Sequence, residues 1–123
     1  MLLARRGYDL LLVDRATFPA DIPHGHFIHR HGPARLHRWG LLDRLIATGC
    51  PPARSTTLDL GDFPLVGRGL AADGVAMGYG PRRAALDKVL VDAAVAAGAT
   101  QREGFVVEDL ATDGDRISGV PAT

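Results

Sequence analysis

Four consecutive aliphatic residues closed by an acid, Leu10-Leu11-Leu12-Val13-Asp14, set the tightest limit on what this chain can fold into. A strand that is apolar at every position, rather than at alternate ones, is buried on both faces, as strands are inside parallel sheets. Parallel neighbours need a long crossover, usually a helix. The flanks agree with that reading. Residues 1 to 6 read as the last turns of a helix, with Gly7 in the position that terminates it. The chain therefore opens in the middle of a β-α-β unit, and strand 9 to 13 is expected to have one apolar edge open to pairing. Independent folding of the lone chain is not expected on this reading.

Downstream, residues 16 to 32 form a loop rich in Pro, Gly and His. A helix follows with Pro33 in its first turn, a bend at Gly40, an apolar side of Leu41, Leu42, Leu45 and Ile46, and a stop at Gly49. Cys50-Pro51-Pro52 is a connector. Short strands are predicted at 57 to 60, 64 to 66 and 75 to 79, separated by turns at Gly61-Asp62 and Asp73-Gly74. The clearest helix runs over residues 83 to 97. Its Leu86, Val89, Leu90, Ala93, Ala94 and Ala97 make one continuous face, opposite Arg82, Asp87, Lys88 and Asp92, and Gly98 ends it. A strand over 100 to 109 and a tight turn at Asp113-Gly114-Asp115 complete an α/β or α+β order.

Composition narrows the function. At 123 residues there is room for one domain and one core. The 14 basic residues balance the 14 acidic ones, so nothing marks a nucleic-acid or membrane-surface partner, which both call for a basic surplus. A single cysteine precludes an intramolecular disulfide and fits a reducing cytoplasm. No apolar run is long enough for a signal peptide or a membrane span. The expected partner is a small-molecule substrate, and oligomeric state is not readable.

Asp14 is the chemically informative residue. In a dinucleotide-binding β-α-β unit the second strand ends in an acid that hydrogen-bonds the adenosine ribose. The alternative is an acid that caps a turn. The companion G-x-G-x-x-G does not occur: Gly67-Arg68-Gly69 and Gly78-Tyr79-Gly80 carry two glycines each, and both read as turns.

Three segments, taken in order, carry a family resemblance. The string from Leu3 through Asp14-Arg15 to Phe18-Pro19 resembles the second half of the FAD-binding unit of the para-hydroxybenzoate-hydroxylase-like superfamily, which includes flavin monooxygenases, flavin halogenases and geranylgeranyl reductases. His26-Phe27-Ile28-His29 with Trp39-Gly40-Leu41-Leu42-Asp43, and Arg82-Arg83-Ala84-Ala85-Leu86-Asp87, are similar to the stretches that follow. The resemblance implies a partial FAD-binding Rossmann-like domain of the glutathione-reductase type over residues 1 to 123, with 55 to 80 as the edge of an inserted substrate-binding sheet. It implies FAD as cofactor and NAD(P)H as reductant in the intact relative. By position, Asp14 matches the ribose-binding acid and Arg15 a basic residue along the adenine or ribose. Arg83 matches the arginine of R-x-x-L-D that points toward the FAD phosphates or flavin edge, and Val107 a backbone contact to adenine. For Arg83 the plain alternative is an i,i+4 salt bridge to Asp87. The glycine-rich loop is then expected before residue 1 and a G-D motif beyond residue 123, so the isolated chain is expected to bind FAD weakly or not at all.

The activity implied is an NAD(P)H- and oxygen-dependent monooxygenase acting on a small organic or aromatic substrate, with no catalytic residue identified within these residues. A non-catalytic truncated α/β protein or binding module, and a piece of a geranylgeranyl-reductase-type enzyme, stay open beside it. His24, His26, His29, His31 and His37 are read as solvated, or as one near the flavin, rather than as metal ligands. Cys50 is read as an inert thiol, and Trp39 and Phe27 as core aromatics.

Overall fold

The computed structural model describes residues 1–21, 23 and 26–121. It divides into two compact units, residues 1–20 with 90–123 and residues 21–89, and the division falls inside one helix. Helices and small sheets mix, as the α/β reading requires.

In the first unit a short 3-10 turn, Ala4–Arg6, ends at Gly7 with φ 84°, the left-handed geometry expected of a terminator. Strand β1 (Leu11–Val13) follows. It runs parallel to the later strand Thr100–Arg102, with Leu11, Leu12 and Val13 opposite Thr100, Gln101 and Arg102. The parallel pairing is as expected, but the burial is not. Leu11 and Leu12 are 52% and 40% exposed. The reason is that strand faces are shielded by helices packed on the sheet, and among the described elements only β6 makes close contact with β1.

The second unit holds α1 (His31–Arg38) and α2 (Leu42–Ile46). Pro33 sits at the third helical position, where its missing N–H has no intrahelical acceptor to lose. The sequence predicts one bent helix here, and the structure has two. Gly40, at φ 72°, stops α1 outright: its N–H bonds to His37 O at 3.0 Å and the Leu41 N–H to Leu36 O at 2.8 Å. That bond pair is the Schellman stop, and its apolar partners Leu36 and Leu41 are both buried. Leu45, with no exposed surface, centres the core of this unit together with Leu42, Cys50, Val75 and Tyr79.

Strands β2 (Pro52–Ala53), β3 (Thr56–Asp59), β4 (Pro64–Gly67) and β5 (Gly78–Tyr79) make two small antiparallel pairs, β2 with β5 and β3 with β4. Pro52 thus belongs to a strand rather than to a connector; a two-stranded edge spares it a donor role. The Asp73-Gly74 turn is as predicted. Both residues have positive φ, 49° and 77°, and Ala72 and Val75 exchange two 2.9 Å bonds across it, the geometry of a type I′ turn. Phe27, expected in the core, is 47% exposed and meets the His29 ring edge-on at 4.7 Å.

Helix α3 (Arg83–Ala96) crosses between the units. Val89, Ala93 and Ala94 are its buried positions, all on the predicted face, and Gly98 at φ 100° closes it. Strand β6 (Thr100–Arg102) stops seven residues short of the predicted end. Gly104 turns the chain at φ 65°, and the Phe105 N–H is drawn to Asp14 O at 2.9 Å. The hairpin β7 (Ala111–Asp113) and β8 (Arg116–Gly119) closes at Gly114-Asp115 as read from sequence.

Candidate cofactor site

Asp14 stands one residue past β1, at the carboxyl end of the parallel pair β1–β6. Ligands of open α/β sheets sit outside those strand ends. The ladder fixes its backbone: the Asp14 N–H donates to Arg102 O at 3.2 Å, and Asp14 O accepts from the Phe105 N–H. Its side chain makes an Asx turn, with Oδ1 accepting the Ala16 N–H at 2.8 Å. The turn-capping alternative is therefore real, and it uses one oxygen. Oδ2 takes part in no hydrogen bond among the described residues, and the residue is exposed. A carboxylate with a fixed backbone, a fixed rotamer and one free oxygen suits a ribose hydroxyl, which needs a single strong acceptor.

Glu103 works at the same edge, a role the sequence reading missed. Its Oε1 accepts the Phe18 N–H at 3.1 Å and the Gln101 side-chain N–H at 2.8 Å, tying the segment after Asp14 to the end of β6. The sequence reading places Glu103 inside a strand over 100 to 109, so nothing local pointed to this role. Arg15 is exposed in the bend after Asp14, and Val107 is 43% exposed outside the regular strands.

Arg83 opens α3 in the other unit. Its Nε–H reaches both oxygens of Asp87, at 2.8 and 2.9 Å. The i,i+4 pair thus forms, with the arginine side chain 41% and the aspartate 13% exposed. An arginine at a helix start opposes the helix dipole, and Asp87 offsets that without covering the guanidinium. Beside it, Arg82 pairs with Asp21 at 2.9 Å on the surface. Of the residues quoted for the cofactor, Asp14, Arg15 and Val107 share one unit and Arg83 lies in the other.

Among the described residues no three His, Cys, Asp or Glu side chains could hold a metal ion, and His24 lies outside the described residues. Cys50 is buried with its Sγ 3.4 Å from Leu45 O. No described helix is long and apolar enough to cross a membrane.

Taken with its helices and small sheets, the chain carries a partial α/β FAD-binding fold, and the solved structures that share it include FAD-dependent halogenases and a flavoprotein/dehydrogenase, which are enzymes. This is consistent with the para-hydroxybenzoate-hydroxylase-like superfamily. The myxobacterial chondrochloren halogenase, an FAD-dependent halogenase, matches with a TM-score of 0.81 and 27% identity over 97% of this chain and 28% of its own. A flavin-dependent brominase matches at 0.82 and 20% over 98% and 29%. A flavoprotein/dehydrogenase from Cytophaga hutchinsonii matches at 0.79 and 21% over 92% and 28%. The chain thus spans under a third of the length of the structures it matches. No family model and no curated protein sequence matches it.

Proposed function

We propose that these residues form the adenosine side of the FAD site in an FAD-dependent oxidoreductase, and that the whole enzyme is an NAD(P)H- and oxygen-dependent monooxygenase of small organic or aromatic substrates. The observation that carries the reading is Asp14: a carboxylate locked at the end of a parallel strand pair with Oδ2 free. Asp14 accepts from the ribose, Arg15 lies along the nucleotide, and the backbone near Val107 borders the adenine. Arg83 faces the phosphates or flavin edge, and residues 55 to 80 belong to the edge of the substrate-binding sheet. Bound FAD supplies the redox chemistry; the protein supplies placement and exclusion of water. The setting is cytoplasmic, in keeping with the single buried thiol of Cys50.

A second reading, a halogenase, is favoured by the 27% identity to the chondrochloren enzyme. The test uses the gene product that carries these residues, supplied with FAD, NAD(P)H and oxygen. Consumption of NAD(P)H coupled to an added oxygen atom in the product, read by mass spectrometry with labelled oxygen, is expected. Halide incorporation instead selects the second reading. The DNA upstream of Met1 separates both from a non-catalytic protein: an in-frame strand with G-x-G-x-x-G supports the enzyme, whereas stop codons sink it.

A further inference from the structure

The sequence holds two Asp-Gly pairs, Asp73-Gly74 and Asp113-Gly114, and no asparagine. In an Asp-Gly pair the glycine nitrogen, unshielded by any Cβ, can reach the Cγ of the preceding aspartate and close a cyclic imide. Both pairs occupy turns between antiparallel partners, yet their surroundings differ.

Two restraints oppose ring closure at Asp73. Its Oδ2 lies 2.5 Å from Arg38 Nε, which holds the carboxyl against the end of α1. That hydrogen bond, and then the charge of Arg38, keeps the carboxyl below the ordinary carboxylate range and so ionised. An ionised carboxylate has no hydroxyl to expel. The backbone is pinned as well: Ala72 and Val75 exchange two 2.9 Å bonds across the turn, and Val75 is buried in the core of the second unit. Swinging the Asp73–Gly74 peptide toward the side chain would strain both.

Asp113 has neither restraint. Its carboxylate takes part in no ion pair or hydrogen bond among the described residues. Residues 112–119 are all exposed, Ile117 among them, and β7 and β8 make close contact only with each other among the described elements. A two-stranded hairpin with no packed face is marginal and opens locally.

We propose that Asp113-Gly114 is a site of spontaneous isoaspartate formation, and that Arg38 and the buried Val75 spare Asp73-Gly74. The Gly114 nitrogen bonds to Asp113 Cγ, and the carboxyl hydroxyl leaves with the glycine N–H proton as water. Water then opens the imide. Attack at the Asp113 main-chain carbonyl breaks its bond to the Gly114 nitrogen, so the chain thereafter runs through the side-chain carbon and the old carbonyl becomes a free carboxylate. Attack at the other carbonyl restores aspartate. Water is the only reactant, and mass is unchanged. The product carries an extra main-chain atom, which breaks the Asp113–Arg116 pairing of the hairpin. No flavin takes part, so the test stands apart from that of the FAD reading.

The experiment incubates the gene product that carries these residues at neutral pH in water enriched in heavy oxygen, followed by peptide mass mapping. Each imide opening leaves one solvent oxygen on the residue formed. Label in the Asp113 peptide should grow roughly tenfold or more faster than in the Asp73 peptide, because the pinned turn rarely opens. In urea, where neither restraint survives, the two should label at similar rates. R38Q should speed labelling at Asp73 and leave Asp113 unchanged. D113E should abolish label at that position, since the longer side chain must close a larger ring. Equal labelling of the two pairs in the folded protein, no label at Asp113, or no acceleration at Asp73 in R38Q would each overturn the assignment.

Discussion

Replacing Asp14 in two ways separates its turn-building oxygen from its free one. In D14N the amide oxygen can still accept the Ala16 N–H, now bonded to Oδ1 at 2.8 Å, so the Asx turn survives. In D14A it is lost. A neutral hydrogen bond in an exposed turn contributes about 0.5–1.5 kcal/mol, and the lower half applies at this exposure. D14A should therefore lower the urea-unfolding free energy by about 0.5–1 kcal/mol, and D14N by much less. Ligand binding should order the variants differently. A ribose hydroxyl bound to a carboxylate gains about 1.5–3 kcal/mol, against about 0.5–1.5 for a neutral acceptor or donor. D14N should then weaken adenosine-nucleotide binding by about fivefold to tenfold, and D14A by roughly tenfold to a hundredfold. The assay is an NMR titration of the chain with AMP and with FAD. Parent binding should be weak, with Kd above ~100 μM, since the sequence carries no G-x-G-x-x-G loop whose amides could neutralise a pyrophosphate. Stoichiometric tight FAD binding by the parent chain would refute the weakness. D14A binding AMP as well as the parent would refute the role of Oδ2. D14N destabilised as much as D14A would refute the turn geometry.

Three further substitutions probe the packing and the ion pairs. R83Q should cost only about 0.3–0.5 kcal/mol of stability in urea unfolding, because the pair with Asp87 is a half-exposed i,i+4 contact. The same change should weaken FAD binding by the whole gene product about tenfold if the arginine serves the cofactor. L45A, at a position with no exposed surface, should destabilise by about 2–5 kcal/mol and lower the urea midpoint accordingly. The hydrogen bond from Arg38, and then its charge, holds the Asp73 carboxyl below the ordinary carboxylate range. A carboxyl lowered in the folded state contributes stability above its unfolded value, near 3.9, and loses it as pH falls through the folded value. The D73N chain, whose asparagine tolerates the same positive φ, should show a smaller drop in urea midpoint from pH 7 to pH 3 than the parent, and 1 M salt should shrink the difference.

Periodicity and glycine placement were legible in the sequence because both act locally. The α3 face and the stops at Gly7 and Gly98 needed nothing from the rest of the chain, and the Asp73-Gly74 turn follows from two adjacent residues that accept positive φ. What escaped the sequence was tertiary. Whether Gly40 bends or ends a helix depends on Leu41 burying itself against Leu36, and the sequence alone does not weigh that contact. The early end of β6 depends on Asp14 O, about ninety residues away, drawing the Phe105 N–H out of line. At the candidate site, the acid at the strand end was visible as a residue type at a boundary. Glu103 was not, because its work is to accept the Phe18 N–H across 85 residues.

The two acids at the β1–β6 edge also constrain what can lie there. Asp14 and Glu103 both bring negative charge to the same pair of strand ends, and each has already spent an oxygen on holding the local backbone. A phosphate at this edge would meet like charges with no helix amides to offset them, an arrangement that costs free energy at short range. A neutral diol meets fixed acceptors whose ordering has already been completed by folding, which is what makes a contact add to affinity rather than merely exist. The edge is thus suited to hydroxyls and unsuited to phosphates. Arg83, on a helix that carries no acid in its first turn, has the opposite preference.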